Sequence, residues 1–489
     1  MFELDVLQHS PHDARSGCGG APLPLPAPDD SLIERSWVPS RFNARTHSED
    51  GHLILWNSYS GTICAFPPEQ AATVVRALSQ QGFSSRRVGL VRYLHENGFI
   101  VPSGTDEFKR LDYEVGRQHY RTDMLELILL PSEDCNFRCG YCYEDFKRGT
   151  MRPEVREGVR RLIDARAARI QVLKLEWFGG EPLYGFQAIE DIAPYAQQVA
   201  REHGIVYASS MTTNGYLLTP ERATKLLAWG VRSFQITLDG PAEYHDVSRP
   251  GRDGSGTFDT IYRNLQAMRE QEDPFHIKIR SNFDRTNQAA YGPFLEQLRE
   301  DFAGDDRFTV GFHAVGKWGG DNDADLATCG VAESRAVMMK LRTLSQEYGL
   351  RIADAYPIQG GIGRQVCYAG RPYNFIIGAD GQVMKCTVAL DSKAHNVVGR
   401  LTPEGVLDLD GEKMGVWTEP NWMTDSTCRT CQMVPTCQGL HCPLVKIEND
   451  GARRGCISAR KNLNNALRET MKLKQAKVGW VALTPEATA

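Results

Sequence analysis

Three cysteines fall within eight residues, Cys135-Asn136-Phe137-Arg138-Cys139-Gly140-Tyr141-Cys142. The stretch follows an apolar run, Leu125 to Leu130, that reads as a buried strand. Gaps of three and two residues let one loop offer three thiolates to a single metal centre. Four thiolates would saturate an iron–sulfur cube, so three leave one iron open to a ligand that is not protein. An open position marks metal chemistry rather than a structural metal. Zinc is the alternative, but it prefers paired C-X2-C units closed to four ligands.

That loop decides how the other cysteines are read. Of thirteen in 489 residues, ten lie in clusters with metal-like spacing, three in the loop and seven after residue 366. Cys18, Cys64 and Cys329 are left over and read as ordinary core or surface residues, with a spare ligand role for Cys329 as the alternative. Disulfides are not expected. The N-terminus lacks a basic start followed by an apolar core, and no run approaches the ~18 apolar residues of a membrane span. A cytoplasmic protein with no membrane partner is expected. Net charge is −5, which gives no general attraction to nucleic acid.

The pattern along the chain divides it into five parts. Residues 1–35 are rich in Pro, Gly, Asp and Ser and read as a flexible tail. Residues 36–105 carry short strands (Leu53–Trp56, Thr62–Phe66), two helical patterns (Pro68–Gln80, Val88–Asn97) and a closing strand, Phe99–Val101, a winged-helix-like unit. Residues 106–350 alternate strands and helices. The strand candidates are Leu125–Leu130, Leu173–Phe178, Val206–Met211, Ser233–Leu238, His276–Phe283 and Phe308–Val315, which implies an α/β fold with a parallel sheet. Residues 351–470 lose the alternation and gather cysteines, and 471–489 read as a tail.

Chemistry in such a sheet belongs at the C-terminal ends of the strands, and polar motifs stand there. After the second strand come Gly179-Gly180-Glu181-Pro182, where two glycines let the backbone approach a ligand closely. After the third come Thr212-Thr213-Asn214-Gly215, and after the fourth Thr237-Leu238-Asp239-Gly240, then His245, Asp246 and Arg249. Asn214 and Asp239 also suit turn-making. Arg249 can grip a carboxylate with two bonds or form a surface ion pair. On the fifth strand, alternation puts Arg280, Asn282 and Asp284 on one face. Charged groups there need partners, so this face is read as looking into an active-site cavity, with an outer edge strand as the alternative. His313, Lys317 and Trp318 are candidate substrate contacts.

The CX3CX2C spacing with an aromatic before its last cysteine, together with GGEP, resembles the radical S-adenosylmethionine (SAM) enzymes. The resemblance implies a partial (β/α)6 barrel. Cys135, Cys139 and Cys142 would hold a [4Fe-4S] cluster whose open iron takes the amino and carboxylate groups of SAM. An electron from the cluster would cleave the sulfonium, and the 5′-deoxyadenosyl radical would abstract a hydrogen from substrate. Tyr141, Gly179, Gly180, Glu181, Asn214, Thr237 and Arg249 become candidate SAM contacts.

Seven later cysteines, Cys367, Cys386, Cys428, Cys431, Cys437, Cys442 and Cys456, resemble the SPASM extension of that family, which carries two auxiliary [4Fe-4S] clusters. By that analogy Cys367, Cys386 and Cys442 hold one, its fourth iron either open or taking an unidentified protein ligand or substrate, and Cys428, Cys431, Cys437 and Cys456 hold the other. The family has a gap of three before the sixth cysteine; here it is four, Gln438-Gly439-Leu440-His441. Paired C-X2-C zinc sites are the alternative for this region. A hairpin is expected around Ala379-Asp380-Gly381.

The N-terminal unit resembles the precursor-recognition domain of peptide-modifying radical SAM enzymes, where a leader peptide adds to an open sheet edge; a passive cap is the alternative. The implied function is an intramolecular crosslink in a ribosomally made precursor peptide, a thioether ahead of a C–C or C–O bond. The implied cofactors are three [4Fe-4S] clusters and SAM, with an external electron donor such as flavodoxin or ferredoxin. The main alternative is formylglycine formation in sulfatases or another peptide oxidation. Sulfatase-maturing enzymes resemble one another in an Asp after the cysteine equivalent to Cys386; here Thr387 stands there.

Overall fold

The computed structural model describes residues 36–79, 88–320, 322–353, 357–390, 393–449 and 451–478. The tail expected at 1–35, and Cys18 within it, lie outside these residues. The described residues form two compact units: one from residues 36–121, 357–372 and 415–478, the other from 122–353 and 373–414. No described helix is long and apolar enough to cross a membrane.

In the first unit, strands β1 (Trp37–Pro39) and β2 (Asn43–His47) precede β3 (Leu53–Asn57) and β4 (Ile63–Phe66). Helices α1 (Pro68–Ala77) and α2 (Val88–Glu96), strand β5 (Ile100–Pro102) and helix α3 (Glu107–His119) follow. β2, β3 and β4 form an antiparallel sheet, and β1 pairs with β5. Sequence reasoning missed β1 and β2. β2 buries only Ala44 and Thr46 while exposing Arg45 and His47, too weak an apolar alternation to read as a strand.

All five side chains of β3 are buried. Leu53 and Leu55 pack with Val74, Leu90 and Leu94 of α1 and α2. Ile54 and Trp56, on the opposite face, pack with Met433, Ile457, Leu467 and Met471. The winged-helix-like part and the last part of the chain therefore share one core. The helix Leu463–Val478 runs into the stretch expected as a tail, because Leu463, Ala466, Leu467 and Met471 repeat at helical spacing and cover this face. Residues 479–489 lie outside the described residues.

The second unit is built on a ten-stranded sheet. Its parallel strands are β6 (Met124–Ser132), β7 (Val172–Gly179), β8 (Val206–Thr213), β9 (Val231–Thr237), β10 (His276–Phe283) and β11 (Phe308–Ala314). Helices α4 (Pro153–Ala167), α5 (Phe186–His203), α6 (Pro220–Ala228), α7 (Ala242–Ser248), α8 (Phe258–Met268), α9 (Tyr291–Phe302) and α10 (Val331–Glu347) punctuate them. The expected βα alternation is present, with Pro at the first turn of α4 and a Thr219 cap on α6 fixing where those helices begin.

Beyond β6 the sheet continues through β12 (Asn374–Ile377), parallel to β6, and then antiparallel β13 (Gln382–Met384), β14 (Val397–Leu401) and β15 (Leu407–Leu409). β12 and β13 form the expected hairpin, with Gly381 at φ 87°. The structure thus divides the chain differently from the expected 36–105, 106–350 and 351–470. α3 belongs with the first unit, and 373–414 belongs to the sheet because β12 hydrogen-bonds along β6.

Candidate active site

The cysteine loop leaves the C-terminal end of β6, and its base is closed by Glu133 N donating to Gly149 O (2.8 Å) and Met151 N to Pro131 O (2.8 Å). The loop is clipped to the segment after α7: Arg138 N donates to Pro250 O, Gly140 N to Ser248 O and Arg252 N to Asn136 O, at 2.8–2.9 Å. Arg252 Nη2 donates to Cys135 O at 2.8 Å. On another side the Asn322 side-chain amide donates to Gly140 O.

Gly179 and Gly180 lie against this loop. Gly180 N donates to Ser132 O (3.1 Å) and Glu181 N to Asp134 O (3.0 Å). Gly179 has φ 115°, and a Cβ there would stand 2.3 Å from Ser132 O; one on Gly180 would stand 2.6 Å from Asp134 O. The glycines have a second use in the fold. They permit a close approach to the backbone leading into Cys135, and so seat the loop.

Glu181 is fully buried. Its Oε1 accepts from Leu183 N (2.9 Å) and Thr213 Oγ1 (2.6 Å), and its Oε2 from Asn214 N (2.7 Å). Burial raises its pKa against these three bonds. It joins the ends of β7 and β8. Asn214 serves the turn and the loop together: Oδ1 accepts from Tyr216 N (2.9 Å), while Nδ2 donates to Asn136 Oδ1 (2.8 Å) and lies 3.8 Å from Cys135 Sγ. Thr237 is buried at the end of β9, paired in register with Arg280.

A second network surrounds Tyr141. Its hydroxyl donates to Asp239 Oδ2 and accepts from Arg249 Nη1 (2.7 Å) and Asn282 Nδ2 (3.0 Å). That exhausts the capacity of a phenol and leaves this oxygen nothing to offer a ligand. Asp239 Oδ1 accepts from Asn282 N at 2.9 Å. Arg249 is buried, not a surface ion pair, and its Nε is buried with no hydrogen-bond partner among the described residues. His245, also buried, accepts Asp239 N on Nδ1 (3.2 Å) and meets Thr257 Oγ1 at Nε2 (3.1 Å). Thr257 Oγ1 donates to Arg249 O (2.8 Å), so the histidine is the neutral Nε2–H tautomer, in keeping with the strong lowering of its pKa by burial and by Arg249.

Of the three β10 residues expected on one face, Arg280 and Asn282 share it, with Arg280 Nε donating to Asn282 Oδ1 at 2.9 Å. Asp284 does not. The strand ends at Phe283, and Asp284 Oδ1 accepts from Thr286 N (2.7 Å) in a turn. His313 is half-buried, with Lys278 Nζ 3.4 Å from its Nε2; Lys317 and Trp318 are exposed. Sequence reasoning missed Lys278, although extending the alternation from Arg280 by two residues would have found it. Nothing in the sequence signalled Asn322.

The loop thiols influence one another. Burial first, then the Glu181 charge, pushes Cys135 up to about 12; burial does the same to Cys142, and it raises Cys139. Thiolates so placed need positive charge beside them. Among the described residues no three His, Cys, Asp or Glu side chains converge tightly enough for a single ion. An all-thiolate donor set on one loop is the chemistry of an iron–sulfur cluster, and the orphaned Arg249 Nε is a donor suited to a carboxylate. The residues present therefore fit a cluster and SAM.

In the first unit, Cys428, Cys431, Cys437 and Cys456 line one cavity of about 190 Å³ together with Arg454 and Arg460. Burial pushes Cys428 to about 11 and Cys437 to about 12, with the other thiols adding to it. Arg460 Nη1 lies 3.8 Å from Cys456 Sγ, so cationic groups stand beside the sulfurs. Burial raises the Cys367 thiol and nearby Cys442 adds to it, while Cys367 N donates to Leu440 O at 2.9 Å. Between Cys437 and Cys442 two successive residues are left-handed, Gln438 (φ 52°) and Gly439 (φ 75°). Cys386 belongs to the sheet unit, buried, with its backbone N–H and C=O both bonded to Asn396.

Comparison with known proteins agrees with this geometry. Residues 129–276 match the Radical SAM superfamily. The chain is 25% identical over 224 residues to the radical SAM cyclopropyl synthase TigE of Paramaledivibacter caminithermalis, covering 40% of this chain and 45% of that one. It is 28% identical over 186 residues to a cysteine-type anaerobic sulfatase-maturating enzyme of Clostridium perfringens, covering 35% and 49%. The chain thus spans about half the length of these relatives. The solved structure of native anSMEcpe with bound AdoMet and Cp18Cys peptide aligns with a TM-score of 0.53 and 18% identity, covering 73% of this chain and 99% of that one. The fold is accordingly that of a radical SAM protein, with a cysteine-rich region of SPASM type following the parallel strands.

Proposed function

We propose, from the premise that the chain carries a radical SAM domain, that it is an enzyme which uses SAM to start radical chemistry on a ribosomally made peptide and closes an intramolecular crosslink in it. One observation carries the reading: Cys135, Cys139 and Cys142 sit on a loop at the C-terminal ends of the parallel strands, held there by Gly179, Gly180 and the segment after α7. These three cysteines would hold a [4Fe-4S] cluster, whose chemistry there would be one-electron reduction of the SAM sulfonium. The chain's own residues do the rest. Arg249 offers Nε to the SAM carboxylate, while Tyr141, Asp239 and His245 fix its position. Glu181 and Asn214 hold the loop against β7 and β8. Cys428, Cys431, Cys437 and Cys456, which line one cavity, would hold an auxiliary cluster, and such a cluster would supply an electron acceptor.

A thioether is the preferred product, ahead of a C–C or C–O bond, because soft sulfur suits an auxiliary cluster with an open iron. The peptide reading draws support from the relatives and from the peptide bound in the solved anSMEcpe structure. The leader would add to an edge of the β2–β4 sheet. Formylglycine formation is the second reading, favoured by the likeness to a sulfatase-maturating enzyme and weakened by Thr387. The test is anaerobic incubation of reconstituted, reduced protein with SAM and a short peptide encoded beside its gene. The expected result is 5′-deoxyadenosine together with a peptide lighter by two hydrogens. SAM turnover with the peptide mass unchanged would count against crosslinking, and absence of 5′-deoxyadenosine against the whole reading.

A further inference from the structure

The inner face of β10 and β11 carries more positive charge than the SAM contacts use. Ile277, Ile279, Ser281 and Phe283 are buried on one side of β10; Lys278, Arg280 and Asn282 alternate with them. Asn282 touches Tyr141 and Asp239, so this side of the strand looks towards the cysteine loop. His313 stands opposite Asn282 in register on β11. We infer that Lys278, Arg280 and His313 form a carboxylate-binding site inside the barrel, and that it holds an acidic side chain of the peptide beside the residue attacked. This rests on the peptide reading above.

Three features support it. Arg280 uses Nε on Asn282, and its two Nη groups make no hydrogen bond to the protein among the described residues. Asn282 also stands between Arg280 and Asp239, accepting from one and donating to the other, so the two charges meet through an amide rather than directly. A half-buried guanidinium with its fork open is the group that grips a carboxylate with two bonds. Next, Lys278 Nζ reaches His313 Nε2 at 3.4 Å. The imidazole is neutral, pushed down to about 2 by burial and by Arg280 and Lys278, so it accepts from the lysine and aims it. Finally, burial, Arg280 and Arg342 lower Lys278 to about 8.

SAM also has a carboxylate. Arg249, bonded through Nη1 to the Tyr141 hydroxyl, has in its Nε the buried donor that suits it, which leaves the Arg280 fork for the peptide.

The test uses reconstituted holoenzyme saturated with SAM, and N-acetyl-glutamate methylamide as probe, with the glutamine analogue as control. Isothermal titration should give at least tenfold tighter binding of the glutamate compound. Lys278→Met and Arg280→Gln should each remove most of that preference, while each variant binds SAM within about threefold of the wild type. The inference is overturned if the wild type does not prefer the carboxylate, or if both variants keep the preference. A tenfold loss of SAM affinity in Arg280→Gln would also overturn it, since the carboxylate held would then be that of SAM. Formation of 5′-deoxyadenosine without peptide is scored separately. Its failure would remove the radical reading and leave the binding result standing, and the reverse holds too.

Discussion

The Tyr141 hydroxyl makes three hydrogen bonds at once, and two of its partners, Arg249 and Asp239, carry full charges away from water. Removing it leaves a buried guanidinium N–H, an amide N–H and a carboxylate oxygen each short of a partner. Tyr141→Phe should therefore destabilise the apoprotein by about 1–3 kcal/mol, read as a lower urea midpoint; an unchanged midpoint would mean that the network does not hold the loop. Lys278 gives a second residue-scale prediction. Its value in the fold is about 8 against an ordinary 10.5. A lowered value favours the neutral amine in the folded state, so the associated stability is full above about 10.5 and is lost as pH falls through about 8. Wild type should lose stability relative to Lys278→Met over that window, and parallel pH profiles would contradict this. Both residues were within reach of sequence reading, Tyr141 by its place in the cysteine motif and Lys278 by alternation. The pairing of Tyr141 with Asp239, Arg249 and Asn282 was not, although each of the three was a candidate by itself, since these contacts span roughly 100 residues or more of chain.

At the scale of elements, the meeting of the cysteine loop with the end of β7 depends on two missing side chains. Gly180→Ala would place a methyl group 2.6 Å from Asp134 O, a backbone atom that cannot swing away. The substitution should cost about 1–3 kcal/mol and displace the loop, reducing SAM cleavage at least tenfold. Gly204→Ala, at φ 66° with nothing within 4 Å, is the control; it should cost about 1 kcal/mol of backbone strain and leave SAM cleavage intact. Equal effects on cleavage would refute the seating role. The parallel strands were legible because buried β-runs alternate with helices at regular intervals. β2 was not, since Arg45 and His47 hide its apolar face. The pairing of β12 along β6 joins residues far apart in sequence, and no local pattern carries it.

For the whole molecule, the N-terminal sheet is buried on both faces, and one of those faces is covered by residues from the end of the chain. A piece ending at residue 121 should thus expose Ile54, Trp56 and Ile63, bind a hydrophobic dye and fail to unfold cooperatively; a sharp unfolding transition would show the sheet to be self-sufficient. Two cysteine arrays were readable as candidate ligands from their spacing, whereas their division between two units was not, because it depends on where 373–414 joins the sheet. The central claim is that the first three thiolates hold a cluster whose open iron takes SAM. It is tested by reconstituting wild type and a Cys135→Ala/Cys139→Ala/Cys142→Ala variant without oxygen, counting iron, and recording electron paramagnetic resonance of the reduced proteins with and without SAM. The account predicts that the variant loses about four irons and that only the wild-type spectrum changes when SAM is added. A variant that kept the full iron content and a SAM-sensitive spectrum would contradict it.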